Sequence, residues 1–231
     1  MPFRKLVVLS GAGVSADSGL DTFRNSGGLW EQYRIEDVCT PEALERNPAL
    51  VLDFYNRRRR QLRDVEPNPG HYAIARLDDC FDTCVVTQNV DDLHERAGSR
   101  RVLHLHGELL KCRSMKDPEY VRRIEGDLNI GDLCPRGGQM RPHIVFFGEP
   151  VPEFESAAGI VEQADMMIVV GTSLAVYPAA SLVYYLRPGA PLYVVDPSPG
   201  EVKRAGVTYI RDRSAVAMPE LVRQLIDKQD K

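Results

Sequence analysis

Two histidines two residues apart, in His104-Leu-His106-Gly-Glu108, are suited to proton transfer, because imidazole titrates nearest neutral pH. Upstream, Gln88-Asn89-Val-Asp91 sets amides and a carboxylate at the end of an apolar run, where an α/β sheet presents ligands. Asn and Asp are also good helix caps, and the two roles can coexist. The loop Ser10-Gly-Ala-Gly-Val-Ser-Ala-Asp-Ser-Gly19 follows another apolar run and is expected to open a helix, turning backbone N–H groups and the positive end of the dipole toward a pyrophosphate. Its pattern, GAGxSxxSG, departs from the common dinucleotide fingerprint, and no acidic residue about twenty positions on ends a second strand. Tyr55 and Arg58, three apart on a helix, share one face, and a phenol beside a guanidinium fork suits a carboxylate. The run Arg57 to Arg60 also reads as a solvated basic face.

These groups need a frame. Short, wholly apolar runs (Leu6–Leu9, Cys84–Val86, Ile144–Phe147, Met166–Val170, Leu192–Val195) suggest strands buried on both faces of a parallel sheet. Helix-like stretches fall between or after them, at Glu153–Gln163, Ala179–Leu186 and Pro219–Asp227. The alternation predicts a doubly wound, Rossmann-like α/β fold, with a mixed α+β domain as the plainer alternative. Two segments interrupt it, a charged helical stretch over 27–67 and a polar Gly/Pro-rich stretch over 109–142, and both read as insertions forming a smaller domain. The nucleotide-binding core is then 1–26, 68–108 and 143–231.

With 231 residues, 43% of them hydrophobic, and a net charge of −4, the chain has material for one substantial core and no broadly basic face for nucleic acid. No apolar run approaches the ~20 residues that span a bilayer, and the N-terminal apolar run is too short for a signal peptide. Five scattered cysteines without a CxxC pair make a poor disulfide framework, so reduced thiols and a cytoplasmic setting are expected.

In order along the chain, Gly11-Ala-Gly13, Ser18-Gly19, Phe23-Arg24, Thr87-Gln-Asn-Val-Asp91-Asp-Leu-His94, His104-Leu-His-Gly-Glu108, Arg141-Pro-His-Ile-Val-Phe-Phe-Gly-Glu149 and Gly171-Thr-Ser173 resemble the motifs of the sirtuins, NAD-dependent protein-lysine deacylases. The resemblance spans roughly residues 5 to 215 and implies a reaction in which the acyl-lysine carbonyl oxygen attacks C1′ of the nicotinamide ribose and nicotinamide leaves. It implies His106 as the general base on the ribose hydroxyls, with His104 a packed or surface-facing residue outside the chemistry, Asn89 and Asp91 in the nicotinamide pocket, and Gln88 on the ribose. Gly11, Ala12, Gly13, Ser18, Phe23, Arg24, Gly171, Thr172 and Ser173 would hold the dinucleotide, with Ala215 and its neighbours Ser214 and Val216 near the adenine. Acylated protein lysines would add as a strand between Val145–Glu149 and Ala175–Tyr177, with Phe147, Gly148 and Val176 along the cleft. The Tyr-x-x-Arg pair, Tyr55 and Arg58, together with Thr22, resembles the branch that removes succinyl, malonyl or glutaryl groups, the pair clamping the distal carboxylate.

Two departures follow. Asp196 stands where the family has Asn; a carboxylate can accept from two ribose hydroxyls, which suits NAD, and would repel the 2′-phosphate of NADP. The zinc-binding CxxC pairs are reduced to Cys112-Arg-Ser-Met115 and Cys134-Pro-Arg-Gly137, and two thiolates do not complete a tetrahedral shell, so no zinc is expected. The module would be held by packing around Leu128, Ile130, Leu133 and Met140. Mono-ADP-ribosyl transfer and a non-catalytic NAD- or ADP-ribose-binding module are the alternatives.

Overall fold

Strands that are apolar on both faces must be covered on both faces, and the first strand sets the layout. In the computed structural model, which describes residues 4–20 and 32–229, β1 (Lys5–Ser10) is an inner strand of a six-stranded sheet. On one side lie β2 (Asp82–Thr87) and β3 (Val102–His104); on the other lie β7 (Met166–Val170), β8 (Leu192–Val195) and β9 (Val207–Ile210). All five pairings are parallel. The chain winds outward through β2 and β3, then returns past β1 to β7, so the boundary between β1 and β7 is a topological switch point. An open α/β sheet forms its ligand crevice there.

Alternation along the strands divides the core in two. Val7, Leu9, Val86, Val169 and Val194 face one layer, which holds Ala157 and Val161 of the helix Phe154–Glu162. Leu6, Val8, Val85, Ile168 and Val170 face the other, which holds Ile74 of the helix Pro69–Arg76 and Met218, Leu221 and Leu225 of the C-terminal helix Ser214–Gln229. That last helix begins five residues before the predicted Pro219, which sits inside it: the apolar face continues back through Met218 and Ala217, and burying it outweighs the one N–H the proline lacks. The stretch from Ala179 is a 3-10 helix ending at Tyr184.

The run Ile144–Phe147 is not a strand of the parallel sheet. Ile144 ends β6 (Met140–Ile144), which pairs antiparallel with β4 (Gly107–Ser114), itself paired with β5 (Val121–Arg123) in a separate three-stranded sheet. A continuous apolar run does not say what covers each side, and here only one side is covered, by the helical segment: Ile144 and Phe146 join Val38, Val51, Phe54 and Tyr55 in one cluster, while Phe147 is exposed.

Within 32–67 the described helices are α2 (Ile35–Val38), α3 (Pro41–Arg46) and α4 (Pro48–Arg63). Thr40 Oγ1 and Asn47 Oδ1 cap α3 and α4 by accepting from Ala43 N (3.1 Å) and Leu50 N (3.2 Å), and a proline follows each cap at the first helical position. The two insertions are bolted together. Asn56 exchanges hydrogen bonds with the backbone of Leu128 (3.0 and 2.9 Å), and the wholly buried Arg59 donates to Leu109 O (3.1 Å). The arginine run is therefore not a single solvated face: Arg57 and Arg60 pair with carboxylates outside, whereas Arg59 is interior. Leu128 and Met140 pack as expected, but Ile130 and Leu133 are exposed, and their place is taken by Leu52, Cys112, Ile124 and Cys134.

Candidate active site

The C-terminal ends of β1, β2, β7 and β8 open into one cleft of about 770 Å³, ample for a dinucleotide and an extended side chain. At its floor the loops after β1 and β7 are hydrogen-bonded to each other: Gly11 N donates to Val170 O (3.0 Å) and Gly13 N to Gly171 O (2.8 Å). A Cβ on Gly13 would stand 2.8 Å from Gly171 Cα, and one on Gly171, whose φ is +64°, would stand 2.3 Å from Val14 N. The glycines thus first let two backbones touch across the switch point; the exposed sides of the same loops then line the cleft. The helix opened by the loop is a single turn, Gly13–Ala16.

Ser15, in that turn, joins the polar residues after β2. Its Oγ donates to Asp91 Oδ2 (3.0 Å) and accepts from Asn89 Nδ2 (3.2 Å). Beneath it, His71 Nδ1 accepts from Asn68 N (3.3 Å), so Nε2 carries the proton that reaches Ser15 Oγ at 3.4 Å. Burial pushes His71 down to about 4, and keeps it neutral. Burial also raises the Asp91 carboxyl, against hydrogen bonds from Leu93 N and Ser15 that lower it. Asp91 Oδ1 accepts from Leu93 N (3.2 Å), an Asx turn that leads into the helix Leu93–Arg96, whose N-cap is Asp92 rather than Asp91.

His106 follows β3. Its Nδ1 lies 3.0 Å from Gln88 O, a pure acceptor, so Nδ1 bears the hydrogen and Nε2 the lone pair. Burial lowers its pKa, partly offset by the Gln88 carbonyl. His106 is neutral and basic at neutral pH. Gln88 Nε2 donates to Thr172 Oγ1 (3.3 Å), tying the β2 loop to Gly171–Ser173, and buried Asp196 after β8 accepts from Ser198 N (2.8 Å) at the same cleft.

Apolar side chains edge the other end of the cleft: Phe147 (41% exposed) on one segment, Val176 (40%) and Tyr177 (70%) on the other. The first segment is held off its neighbours by three backbone donors. Val145 N gives to His106 O (2.9 Å), Phe146 N to Glu149 Oε2 (2.8 Å) and Phe147 N to Cys39 O (3.0 Å). Glu149 in turn accepts from Arg113 (3.1 and 3.2 Å) and Arg141 (2.6 and 3.1 Å), and the Arg141 guanidinium lies 4.0 Å from the Phe146 ring centroid. Burial acts to raise the Glu149 carboxyl, but these donors outweigh it and hold it below the usual range.

Tyr55 and Arg58 both reach this cleft from α4. Tyr55 is fully buried, stacked 5.7 Å from Phe146, and its hydroxyl donates to Cys39 Sγ (3.1 Å). Burial drives that phenol well above its ordinary value and raises the Cys39 thiol too.

Most of the sequence-predicted residues therefore share one cavity: Gly11, Ala12, Gly13, Gln88, Asn89, Asp91, His106, Gly171, Thr172, Ser173, Asp196, Tyr55, Arg58, Val145, Phe147, Gly148 and Val176. Ser18 instead accepts from Asn68 Nδ2 (2.9 Å) at the base of the loop, and Ser214 rather than Ala215 lines the cleft. Phe23, Arg24 and Thr22 lie outside the described residues. The sequence reading missed Ser15, although it stands in the glycine motif, and it missed Cys39 and Arg213, for which no local signal existed.

Cys112 and Cys134 are both buried in the small sheet's core. The Cys134 sulfur accepts from Ser114 Oγ (3.2 Å) and Gly138 N (3.3 Å). Among the described residues no group of three or more His, Cys, Asp or Glu could hold a metal ion, so two thiols without further donors do not fit a tetrahedral zinc.

A family model described as the Sir2 family matches residues 11–178. An NAD-dependent protein deacylase of Bacteroides thetaiotaomicron is 48% identical over 96% of this chain and 98% of its own length. A solved Sir2 homologue in complex with NAD superposes with a TM-score of 0.88 at 38% identity, over 98% of this chain and 91% of that one. A Sir2 protein solved with a deacetylated p53 peptide and 3′-O-acetyl-ADP-ribose gives 0.77 at 30% identity, over 98% and 94%.

Proposed function

The chain belongs to the Sir2 family, and we propose that this NAD-dependent protein-lysine deacylase prefers acyl groups ending in a carboxylate, succinyl or malonyl, while still removing acetyl. One observation carries the reading: a neutral His106, its Nδ1 hydrogen committed to Gln88, shares a single cleft with the Asn89–Asp91 pocket at one end and with Tyr55 and Arg58 at the other.

When bound, NAD supplies the ribose carbon that accepts the acyl oxygen, with nicotinamide as leaving group. The amides of Gly11, Gly13 and Gly171 are spent on Val170, Gly171 and Val195, so those of Ala12, Thr172 and Ser173 are the ones suited to its phosphates, and Asp196 to ribose hydroxyls; its negative charge disfavours NADP. Phe23 and Arg24 belong to the same cofactor reading. Asp91 would accept from the carboxamide, oriented by Ser15. His106 Nε2 would take the proton from a ribose hydroxyl, because the Gln88 carbonyl holds the ring hydrogen on Nδ1 and leaves the lone pair on Nε2. The acylated peptide would pair between Val145–Glu149 and Ala175–Tyr177, and Arg58, with the Tyr55 phenol, would receive the distal carboxylate. The hydrogen bond from Tyr55 to Cys39 means the phenol must be shared with, or redirected from, the thiol to do so. The reading requires no zinc.

The test is a panel of acetyl-, malonyl- and succinyl-lysine peptides with NAD, following nicotinamide release and O-acyl-ADP-ribose formation. His106→Ala should abolish turnover. Tyr55→Phe combined with Arg58→Met should cut succinyl-lysine kcat/KM at least about tenfold more than acetyl-lysine kcat/KM, the scale of a lost charged hydrogen bond. Equal losses on the two substrates would refute the acyl preference.

A further inference from the structure

Three consecutive carbonyls of the loop after β2 are gripped from the segment 104–109. Gln88 O accepts from His106 (3.0 Å), Asn89 O from His104 Nδ1 (2.9 Å), and Val90 O from Leu109 N (2.7 Å). His104 is the last residue of β3, in register with Thr87, so the parallel pairing sets its ring beside the loop. Its other nitrogen, Nε2, lies 2.7 Å from Glu95 Oε1, and its side chain is only 8% exposed. A carbonyl and a carboxylate both accept, so a ring holding both must donate from both nitrogens and carry a charge.

We infer that His104 is a positioning residue for the deacylation reaction: as an imidazolium paired with Glu95 it pins the Asn89 carbonyl, fixing the loop that presents Asn89 and Asp91 to the cleft. The inference rests on the deacylase reading of that cleft.

The surrounding charges support the protonated ring. Glu95 faces it from the helix Leu93–Arg96, Glu108 from β4 and Asp91 from the β2 loop, while the neighbouring His94 is buried and held neutral; Lys111, paired with Glu108 (2.6 Å), also acts on Glu95. Burial works against the charge on His104, but the Glu95 hydrogen bond and charge, the Asn89 carbonyl and Glu108 outweigh it and raise the pKa above the ordinary 6.5. On deprotonation, a bare Nε2 lone pair against the Glu95 carboxylate would repel, so the remaining hydrogen stays on Nε2. The donor lost is the one on Asn89. Because Asn89 Nδ2 steadies Ser15, which donates to Asp91, the slack spreads into the pocket. The His-Leu-His spacing thus divides the work: His106 gives a base to the cleft, and His104 holds the adjoining carbonyl still.

The experiment has two arms on the full chain. In the first, histidine ¹⁵N spectra of the wild type are followed against pH, with His104→Asn to assign the signal. One of the five histidines should carry protons on both nitrogens up to a pH above 6.5, and Glu95→Gln should lower that titration. In the second, kcat/KM for NAD is measured against pH. His104→Ala should lose about tenfold or more, the cost of leaving a carbonyl without a charged donor. His104→Asn, whose Nδ2 stands where the imidazole Nδ1 does, should recover most of that loss and abolish the alkaline fall, and Glu95→Gln should move that fall to lower pH. A His104→Ala enzyme within about twofold of wild type, a His104 already neutral at pH 6.5, or an alkaline limb indifferent to Glu95→Gln would each overturn the inference. A wild type inactive on every acyl peptide would instead sink the functional reading, and the spectra, which need no turnover, would still decide the state of His104.

Discussion

In the proposed reaction a single proton decides whether His106 can act as the base. Burial lowers its pKa, with the Gln88 carbonyl pulling the other way, so the ring is neutral through the neutral range and charges only in acid. A general base fails when protonated, so kcat/KM for deacylation should fall on the acid side with a midpoint below the ordinary 6.5. Steady-state rates from pH 5 to 8 would check this; an acid midpoint at or above about 7 would mean another group is the base. His106 stood out in the sequence through the motif it lies in, since a histidine on a loop leaving a strand is by itself more often inert. Ser15 did not, because a serine acquires its role only when Asn89 and Asp91 of one loop and His71 of a helix arrive from two other parts of the chain.

At the scale of elements, the segment Val145–Glu149 needs an external brace because it belongs to neither sheet. Glu149 supplies it, joining Arg113 on β4, Arg141 on β6 and the Phe146 amide. Glu149→Gln keeps the shape but removes the charge that both guanidinium groups share. The peptide KM should then rise about fivefold to tenfold, with a smaller change in the KM for NAD, since one charged hydrogen bond is worth roughly 1.5–3 kcal/mol and the site is partly screened. Titrating each substrate at saturating levels of the other separates the two; an effect confined to NAD would contradict the brace. The apolar run 144–147 suggested a strand of the parallel sheet buried on both faces, whereas only Ile144 and Phe146 are buried and Val145 and Phe147 line the cleft, because hydrophobicity names neither the partner nor a face kept open for a ligand.

For the whole molecule, buried histidines set the response to acid. His71, lowered to about 4 by burial, and His94, lowered well below its ordinary value by burial and by His71 and His104, are neutral when folded. The unfolded chain binds protons below about 6.5 and the folded one does not, so the unfolding free energy should decline as pH drops from about 6.5 toward 4. His104 has the opposite sign: its pKa is raised, and its contribution is lost as pH rises through that value. Urea unfolding across pH 4 to 7 would show the decline, and a flat profile would refute it. With Cys134 satisfied by Ser114 and Gly138 and the insertion joined to α4 through Asn56, chelators should leave the melting temperature unchanged, and purified protein should carry well under one zinc per chain. A chelator-induced loss of stability would restore the metal. The sequence by itself determined the parallel α/β frame, the glycine loops and most of the side chains that line the cleft, because strand burial and motif spacing are local properties written in consecutive residues. Tertiary structure alone decided that Gly13 and Gly171 touch, that Cys39 takes the Tyr55 hydroxyl and that two histidines hold neighbouring carbonyls, because each depends on groups far apart in the chain meeting within hydrogen-bond reach.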